Sequence, residues 1–465
     1  MELLFIAPEI TPYSRSGEIG DVCAALPKAL RGGGHKVTVI SPLWPGIDAS
    51  ARGLARRLSG VEIELGGRRF PCVLHDGRTT GGVELVFVAQ PELFAEGPSG
   101  GDDAARLRAA VGLSLAAAQV AVTREPAPEV VHAHGWFAAA ALPLVKAARP
   151  EVALLLSLHD PAQQGRLAPA ATDWLPAALT QLLGEGEQRS LLRAGIAAAQ
   201  RVVSSSEAEL QLLRGSTYGL ADALGANGKL LAIANGLDAA RWNPLTDPLL
   251  PARFDPVELQ GKARCKDQLQ FELELPVRPE LPLVACVGQL TPDAGGGLLA
   301  RALPQLLQAE LQLVVAGGDA ELRQLMTAHA ARHEERLRAI APADERSVHR
   351  AIAAADLLLV PARDPGYPDL HLCGQRYGAL PIAPRHGAIA DAVVDCDAQL
   401  TTGTGFLFET DDAADLAAAL GRALAAFERA KPFEALRRRA MKLDVSWERS
   451  ARRYEHQYRT LRGAS

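Results

Sequence analysis

The chain has 465 residues, 48% of them hydrophobic and 22% charged, with a formal net charge of -5. That length exceeds one ordinary hydrophobic core and predicts two large domains, while the mild acidity excludes a broad nucleic-acid-binding face and the apolar share excludes a disordered chain. No run approaches the ~18 uninterrupted apolar residues of a membrane span, and the scattered Cys23, Cys72, Cys265, Cys286, Cys373 and Cys396 contain no C-x-x-C pair, which predicts buried thiols in a reducing compartment and no metal site.

In chain order, Leu3 to Ala7 is a short apolar run without a positively charged lead, so it reads as a first strand and the protein is expected in the cytoplasm. A glycine-containing turn leads from it into the helical Cys23 to Leu30, and Val37 to Ile40 makes a second strand. Val61 to Leu65, Arg69 to Leu74 and Val83 to Val88, separated by glycine turns, predict an antiparallel hairpin insertion. Val130 to Ala133, Leu154 to Leu158, Val202 to Ser205 and Leu230 to Ala234 continue the strand series, with Ala/Leu-rich helical segments between several of them. Buried parallel strands with crossover helices produce this pattern. His132 and His134, two apart on one such strand, are read as pointing to opposite faces.

The proline-punctuated stretch Trp242-Asn-Pro-Leu-Thr-Asp-Pro248 reads as a hinge. A second series follows: Leu283 to Val287, Leu311 to Ala316, Leu357 to Val360, Leu380 to Ala383 and Gly405 to Phe408. The expectation is an α/β chain with two doubly wound, Rossmann-like domains, residues 1–245 and 246–445, facing across a cleft. From Ser446, which can cap a helix, Trp447, Tyr454 and Tyr458 recur at helical spacing over 446–465.

A strand-to-helix turn such as Ala7-Pro-Glu-Ile-Thr-Pro-Tyr-Ser-Arg-Ser-Gly17-Glu-Ile-Gly20-Asp21 presents backbone N–H groups to an anion. No Gly-Lys-Ser/Thr follows, so it is not a Walker loop. By contrast, Gly295-Gly-Gly297 lacks a following lysine and reads as a flexible turn. The first turn resembles the opening of bacterial glycogen and plant starch synthases. The resemblance continues in register through His132-Ala-His134-x-Trp136, Ser157-Leu-His159, Asn235-Gly-Leu-Asp238, Gly288-x-Leu-Thr291, Arg376-Tyr-Gly378, Gly403-Thr-Gly-Phe406 and Ser446-Trp447-Glu448.

That resemblance implies the two-domain GT-B fold, with the segment from Ser446 packing back on the N-terminal domain. It implies glucose transfer from ADP-glucose to an α-1,4-glucan with retention, without metal or cofactor. The implied partners are glycogen-type α-glucan and ADP-glucose, with other enzymes of glycogen metabolism as a further class, and neither nucleic acid nor membrane. His159 matches the donor-site histidine and is the implied catalytic residue. Arg15, Gly17, Gly20, Asp21, Asn235 and Arg363 match substrate-binding positions.

Other positions depart from the family pattern. Glu18 stands on the second glycine of a Gly-Gly pair, bringing a carboxylate towards the diphosphate. Gly135 stands on an aspartate, and Asp160 on an asparagine. Gln289 and Ala294 stand on the arginine and lysine that bind the phosphates, and Pro365 on the catalytic glutamate. Losing one preorganised donor to a developing anion costs about 10²–10³ in rate. The sequence therefore predicts an impaired, glucan- and nucleotide-sugar-binding or regulatory protein. The alternative is an active synthase with substitute residues, for which Arg301, Arg363 and His371 are the candidates.

Overall fold

The computed structural model describes residues 1–168, 173–215, 217–225, 228–362 and 369–463. The chain forms two compact units, Met1–Gly236 together with Trp447–Ser465, and Leu237–Ser446. The division falls ahead of the expected 245/246 boundary. The reason lies in the side chains after Gly236: Leu237 and Trp242 are buried in a core of the second unit, where the Trp242 indole stacks on the His349 imidazole at 3.9 Å. The proline-rich stretch wraps that unit, and its Asp247 anchors it by bonds to His349 and the Tyr377 hydroxyl, both 2.7 Å.

Among the described residues the first unit is built on β1 (Glu2–Ile6), β2 (Lys36–Pro42), β3 (Ala55–Arg56), β4 (Val61–Leu65), β5 (Arg68–Arg78), β6 (Glu84–Ala89), β7 (Val130–His134), β8 (Ala153–Ser157), β9 (Arg201–Ser204) and β10 (Leu230–Ala232). Their order is β10-β9-β8-β7-β1-β2-β6-β5-β3, with β4 paired to β5. The strands from β10 to β6 run parallel, and β3, β4 and β6 pair antiparallel with β5. The expected hairpin insertion is thus β4–β5, whereas the run at Val83–Val88 belongs to the main sheet beside β2. Helix Asp103–Thr123 is long and apolar enough to cross a membrane, but it packs inside this unit with most of that stretch buried.

His132 and His134 correct the sequence reading. Side chains two apart on a strand share a face, and the two rings lie on one face of β7 with centroids 4.1 Å apart. The terminal helix, Trp447–Leu461, lies over that face. Tyr458 bonds His132 Nδ1 at 2.9 Å, Ser157 bonds its Nε2 at 2.8 Å, and the Tyr454 hydroxyl reaches Ser157 at 3.3 Å. This aromatic seam, with Trp447 also buried, seats the helix on the first unit's core.

The second unit is a parallel sheet of β11 (Leu283–Gly288), β12 (Gln312–Gly317), β13 (Leu337–Ile340), β14 (Leu357–Leu359), β15 (Leu380–Pro384) and β16 (Phe406–Phe408), in the order β13-β12-β11-β14-β15-β16. The edge strand β13 has no counterpart in the sequence reading. Two polar knots are buried beside the sheet, the first an ion-paired carboxylate and the second a lysine that burial pushes well below its usual range. Asp356 receives Lys266 at 2.8 Å and Arg437 at 2.7 Å, and Lys262 Nζ donates to the Ala353 and Tyr377 carbonyls at 3.0 and 2.9 Å.

Candidate functional site

Ligands of doubly wound sheets meet the carboxyl ends of the strands. In the first unit, the ends of β1, β7, β8 and β9 carry Glu9 to Asp21, His134, His159 and Ser204. The turn after β1 holds its own anion. The buried Glu9 carboxylate accepts from the Ser16 N–H at 2.5 Å, the Ser16 hydroxyl at 2.8 Å, and the Gly17 and Gly20 N–H groups at 3.2 Å each. The N–H groups expected to face a ligand are therefore committed to Glu9, which caps the helix Glu18–Gly32 in place of an N-cap side chain. Gly20 is closely packed, since a Cβ there would lie 3.1 Å from the Ser14 carbonyl and the Thr11 hydroxyl. Gly17 has open space around it. Arg15 and Asp21 form a two-point ion pair at 3.0 and 2.9 Å, with Thr11 also donating to Asp21 at 3.0 Å.

Glu18, the first residue of that helix, sends Oε1 to His159 Nδ1 at 3.1 Å. His159 Nε2 in turn meets His134 Nδ1 at 3.1 Å. Both nitrogens of His159 are thereby engaged, and its side chain is only 5% exposed against 41% for Glu18. Burial, with smaller effects from neighbouring histidines, holds His132 and His134 well below the usual imidazole range, so both are neutral near pH 7. Gly135 follows His134 at φ +66°, a left-handed backbone that favours glycine over the aspartate expected by resemblance. Asp160 turns away, accepting from the Ala162 N–H and the Gln163 amide, each at 3.0 Å.

One residue of this cluster was missed. Glu209 accepts the Ser204 hydroxyl at the end of β9, and burial pushes its carboxyl up, the negative charges of Glu18 and Asp160 adding to the effect. Ser206-x-x-Glu209 reads as a capping box, in which the glutamate would turn back to the Ser206 backbone. Ser206 does cap the helix, accepting from the Glu209 N–H at 3.1 Å, but the Glu209 carboxylate goes to the strand end instead. Asn235 lies half-buried just beyond β10.

In the second unit, the turn after β11 carries Gln289 and Asp293, both exposed, and Ala294. Thr291 caps it by accepting from the Ala294 N–H at 3.2 Å. The glycines are fixed by packing rather than flexible: a Cβ on Gly296 would stand 2.2 Å from the Leu290 carbonyl oxygen, and Gly295 has φ +92°. Arg301, one turn into the following helix Gly297–Gln308, brings Nη1 within 3.5 Å of where a Gly297 Cβ would stand. It also donates to the Asp411 carbonyl at 3.4 Å. His371 supplies no cation, because burial pushes its imidazole down to about 4. Arg363 and Pro365 lie outside the described residues. Among the described residues, no group of three His, Cys, Asp or Glu side chains could hold a metal ion.

Residues 2–225 match the starch synthase catalytic domain family, and residues 281–426 match glycosyl transferases group 1. Glycogen synthase of Anaeromyxobacter sp. (strain Fw109-5) is 34% identical over 480 residues, covering 99% of both chains. That of Yersinia pestis (strain Pestoides F) is 33% identical over 483 residues, covering 99% of this chain and 100% of its own. Among solved structures, the catalytic domain of starch synthase IV from Arabidopsis thaliana, bound to ADP and acarbose, has a TM-score of 0.89 at 26% identity, covering 99% of each chain. Sucrose-phosphate synthase from Thermosynechococcus elongatus, at 17% identity and TM-score 0.63 over 100% of each chain, shares the fold. The two doubly wound units are thus those of a GT-B glycosyltransferase, and the chain belongs to the glycogen/starch synthase family.

Proposed function

We propose that this protein binds α-glucan and a nucleotide sugar of the ADP-glucose type, and that its glucosyl transfer is slow enough for binding to be its main contribution. Glycogen synthase relatives and a starch synthase neighbour carrying ADP and acarbose support the ligand classes. In this reading Arg15, Gly17, Gly20, Asp21, Asn235 and Arg363 line the ligand sites, and His159 lies behind Glu18 at the end of β8. The observation that carries the slow step is the turn after β11, where Gln289, Asp293 and Ala294 offer a developing diphosphate no cation. Arg15 is held by Asp21, and the first turn's N–H groups by Glu9. Six buried free thiols support a cytoplasmic setting.

Two observations favour a second reading, an active ADP-glucose-dependent synthase. The Glu18 charge is engaged by His159 instead of opposing a phosphate, and the Arg301 guanidinium lies beside the turn where lysine is missing. Radiolabelled glucose incorporation from ADP-glucose into glycogen separates the two. The expected result is turnover at least about 10²-fold below a relative's synthase assayed in parallel, raised by Gln289→Arg with Ala294→Lys. Turnover equal to the relative's establishes the second reading.

A further inference from the structure

The polar group that the first unit offers at the end of β8 is not the histidine. His159 has two ring nitrogens, and both are used: Nδ1 by Glu18 at 3.1 Å and Nε2 by His134 at 3.1 Å. An imidazole so engaged has no in-plane donor or acceptor left for a ligand. Glu18 has the opposite character. One carboxylate oxygen is held by a buried ring, while the side chain remains 41% exposed, at the start of a helix whose dipole favours a negative group there. The backing imidazole removes rotational freedom that a free glutamate would lose on binding.

We infer that Glu18 is a specificity-determining residue that contacts the ligand directly, its carboxylate accepting hydrogen bonds from sugar hydroxyls, and that His159 acts through it as a positioning residue. A carboxylate is an acceptor only and pairs with hydroxyl donors; it repels phosphate. The Glu209 carboxyl, raised first by burial, also registers the negative charge that Glu18 and Asp160 place at the same strand ends. This end of the first unit therefore selects the neutral polyol portion of a nucleotide sugar and not its diphosphate. The glycine expected at position 18 by resemblance would offer the ligand no side chain. This rests on the donor class in the proposed function.

The test is calorimetric titration of the full chain with ADP-glucose and, separately, with ADP, for wild type, Glu18→Gln, Glu18→Gly, His159→Ala and the Glu18→Gln/His159→Ala pair. Glu18→Gln is expected to weaken ADP-glucose by about tenfold or more, the loss of a hydrogen bond to a charged group, while ADP affinity stays within about twofold. Glu18→Gly is expected to weaken ADP-glucose similarly although it frees His159. His159→Ala added to Glu18→Gln is expected to cost little more, because the two act as one unit. Circular dichroism checks that each variant is folded. Tighter ADP-glucose binding by Glu18→Gly overturns the inference, since Glu18 would then be blocking His159. Equal losses for ADP and ADP-glucose also overturn it, as does binding unchanged by Glu18→Gln. If wild type binds neither ligand, the proposed donor class fails and this assignment falls with it; binding without discrimination sinks this assignment alone.

Discussion

A seam in the first unit and a knot in the second handle buried polarity in opposite ways. The first buries neutral groups, the His132 and His134 rings with Ser157, Tyr454 and Tyr458, in a hydrogen-bonded seam under the terminal helix. The second buries full charges: Asp356 with Lys266 and Arg437. A neutral network needs no counter-charge but fails when a proton arrives. A charged knot tolerates protons over a wider range but fails when one partner is removed.

Removing Asp356 breaks the comparison hardest. Asp356→Ala leaves Lys266 and Arg437 facing each other with their shared carboxylate gone, and the expected loss is about 3–5 kcal/mol, confined to the second unit. Urea unfolding followed by hydrogen–deuterium exchange mass spectrometry reads each unit's peptides separately. A loss below about 1 kcal/mol would show that the knot is not a structural centre.

Acid sharpens the same contrast. His132 and His134 sit below the ordinary imidazole value of about 6.5, so their folded rings stay neutral while the unfolded chain takes up protons below that pH. Their contribution to stability is complete above about pH 6.5 and declines below it, with a slope of up to about 2.7 kcal/mol per pH unit for two protons. The second unit has one ring of this kind described above, His371 at about 4, and so loses about half as steeply. Burial alone would raise Asp356, yet Arg437 and Lys266 hold it below the usual carboxylate range. The Asp356 contribution is present above about pH 3.8 and is lost only as pH falls through its depressed folded value. Exchange rates measured from pH 7.5 to 4.5 should rise sooner in the first unit; parallel loss in both units contradicts the assignment.

The smallest effect is the finest test. Tyr458→Phe removes the hydroxyl at His132 Nδ1 and leaves that nitrogen buried without its partner, an expected cost of about 1–2 kcal/mol in the first unit alone. Thermal melting that leaves the second unit's transition in place is the required outcome.

Much of the architecture was legible because parallel strands are buried on both faces. Runs such as Leu154 to Leu158 and Leu283 to Val287 are too short for a core helix and are bounded by polar or turn residues, which favours a buried strand. β13 was invisible because Leu337-Arg-Ala-Ile340 is short, carries a charge and lies at an edge. The division at Gly236 falls ahead of the expected boundary because prolines mark irregular backbone, and irregular backbone that packs by Trp242 and Asp247 looks the same in sequence as a hinge. At the site, residue identities were legible but their partners were not. Nothing in the sequence says that Glu9 caps the turn it precedes, or that Glu18 reaches a histidine 141 positions away. Such pairings depend on where β1 and β8 end relative to β7, which is a tertiary fact.

The chain leaves the first unit at Gly236 and re-enters it at Trp447. Where it does so, the outgoing and returning segments pair through a parallel bridge between Leu237 and Ser446, and the Leu237 N–H donates to the Val445 carbonyl at 2.7 Å. For synthesis on the ribosome this reverses the usual order of completion. The first unit emerges first, but its sheet waits with His132 and Ser157 uncovered until the last helix is made. At about 5–20 residues per second, that wait is roughly ten to forty seconds, during which the whole second unit is translated. A stop codon anywhere in the second unit therefore leaves two defective bodies, the later one unfinished and the earlier one lacking its final helix.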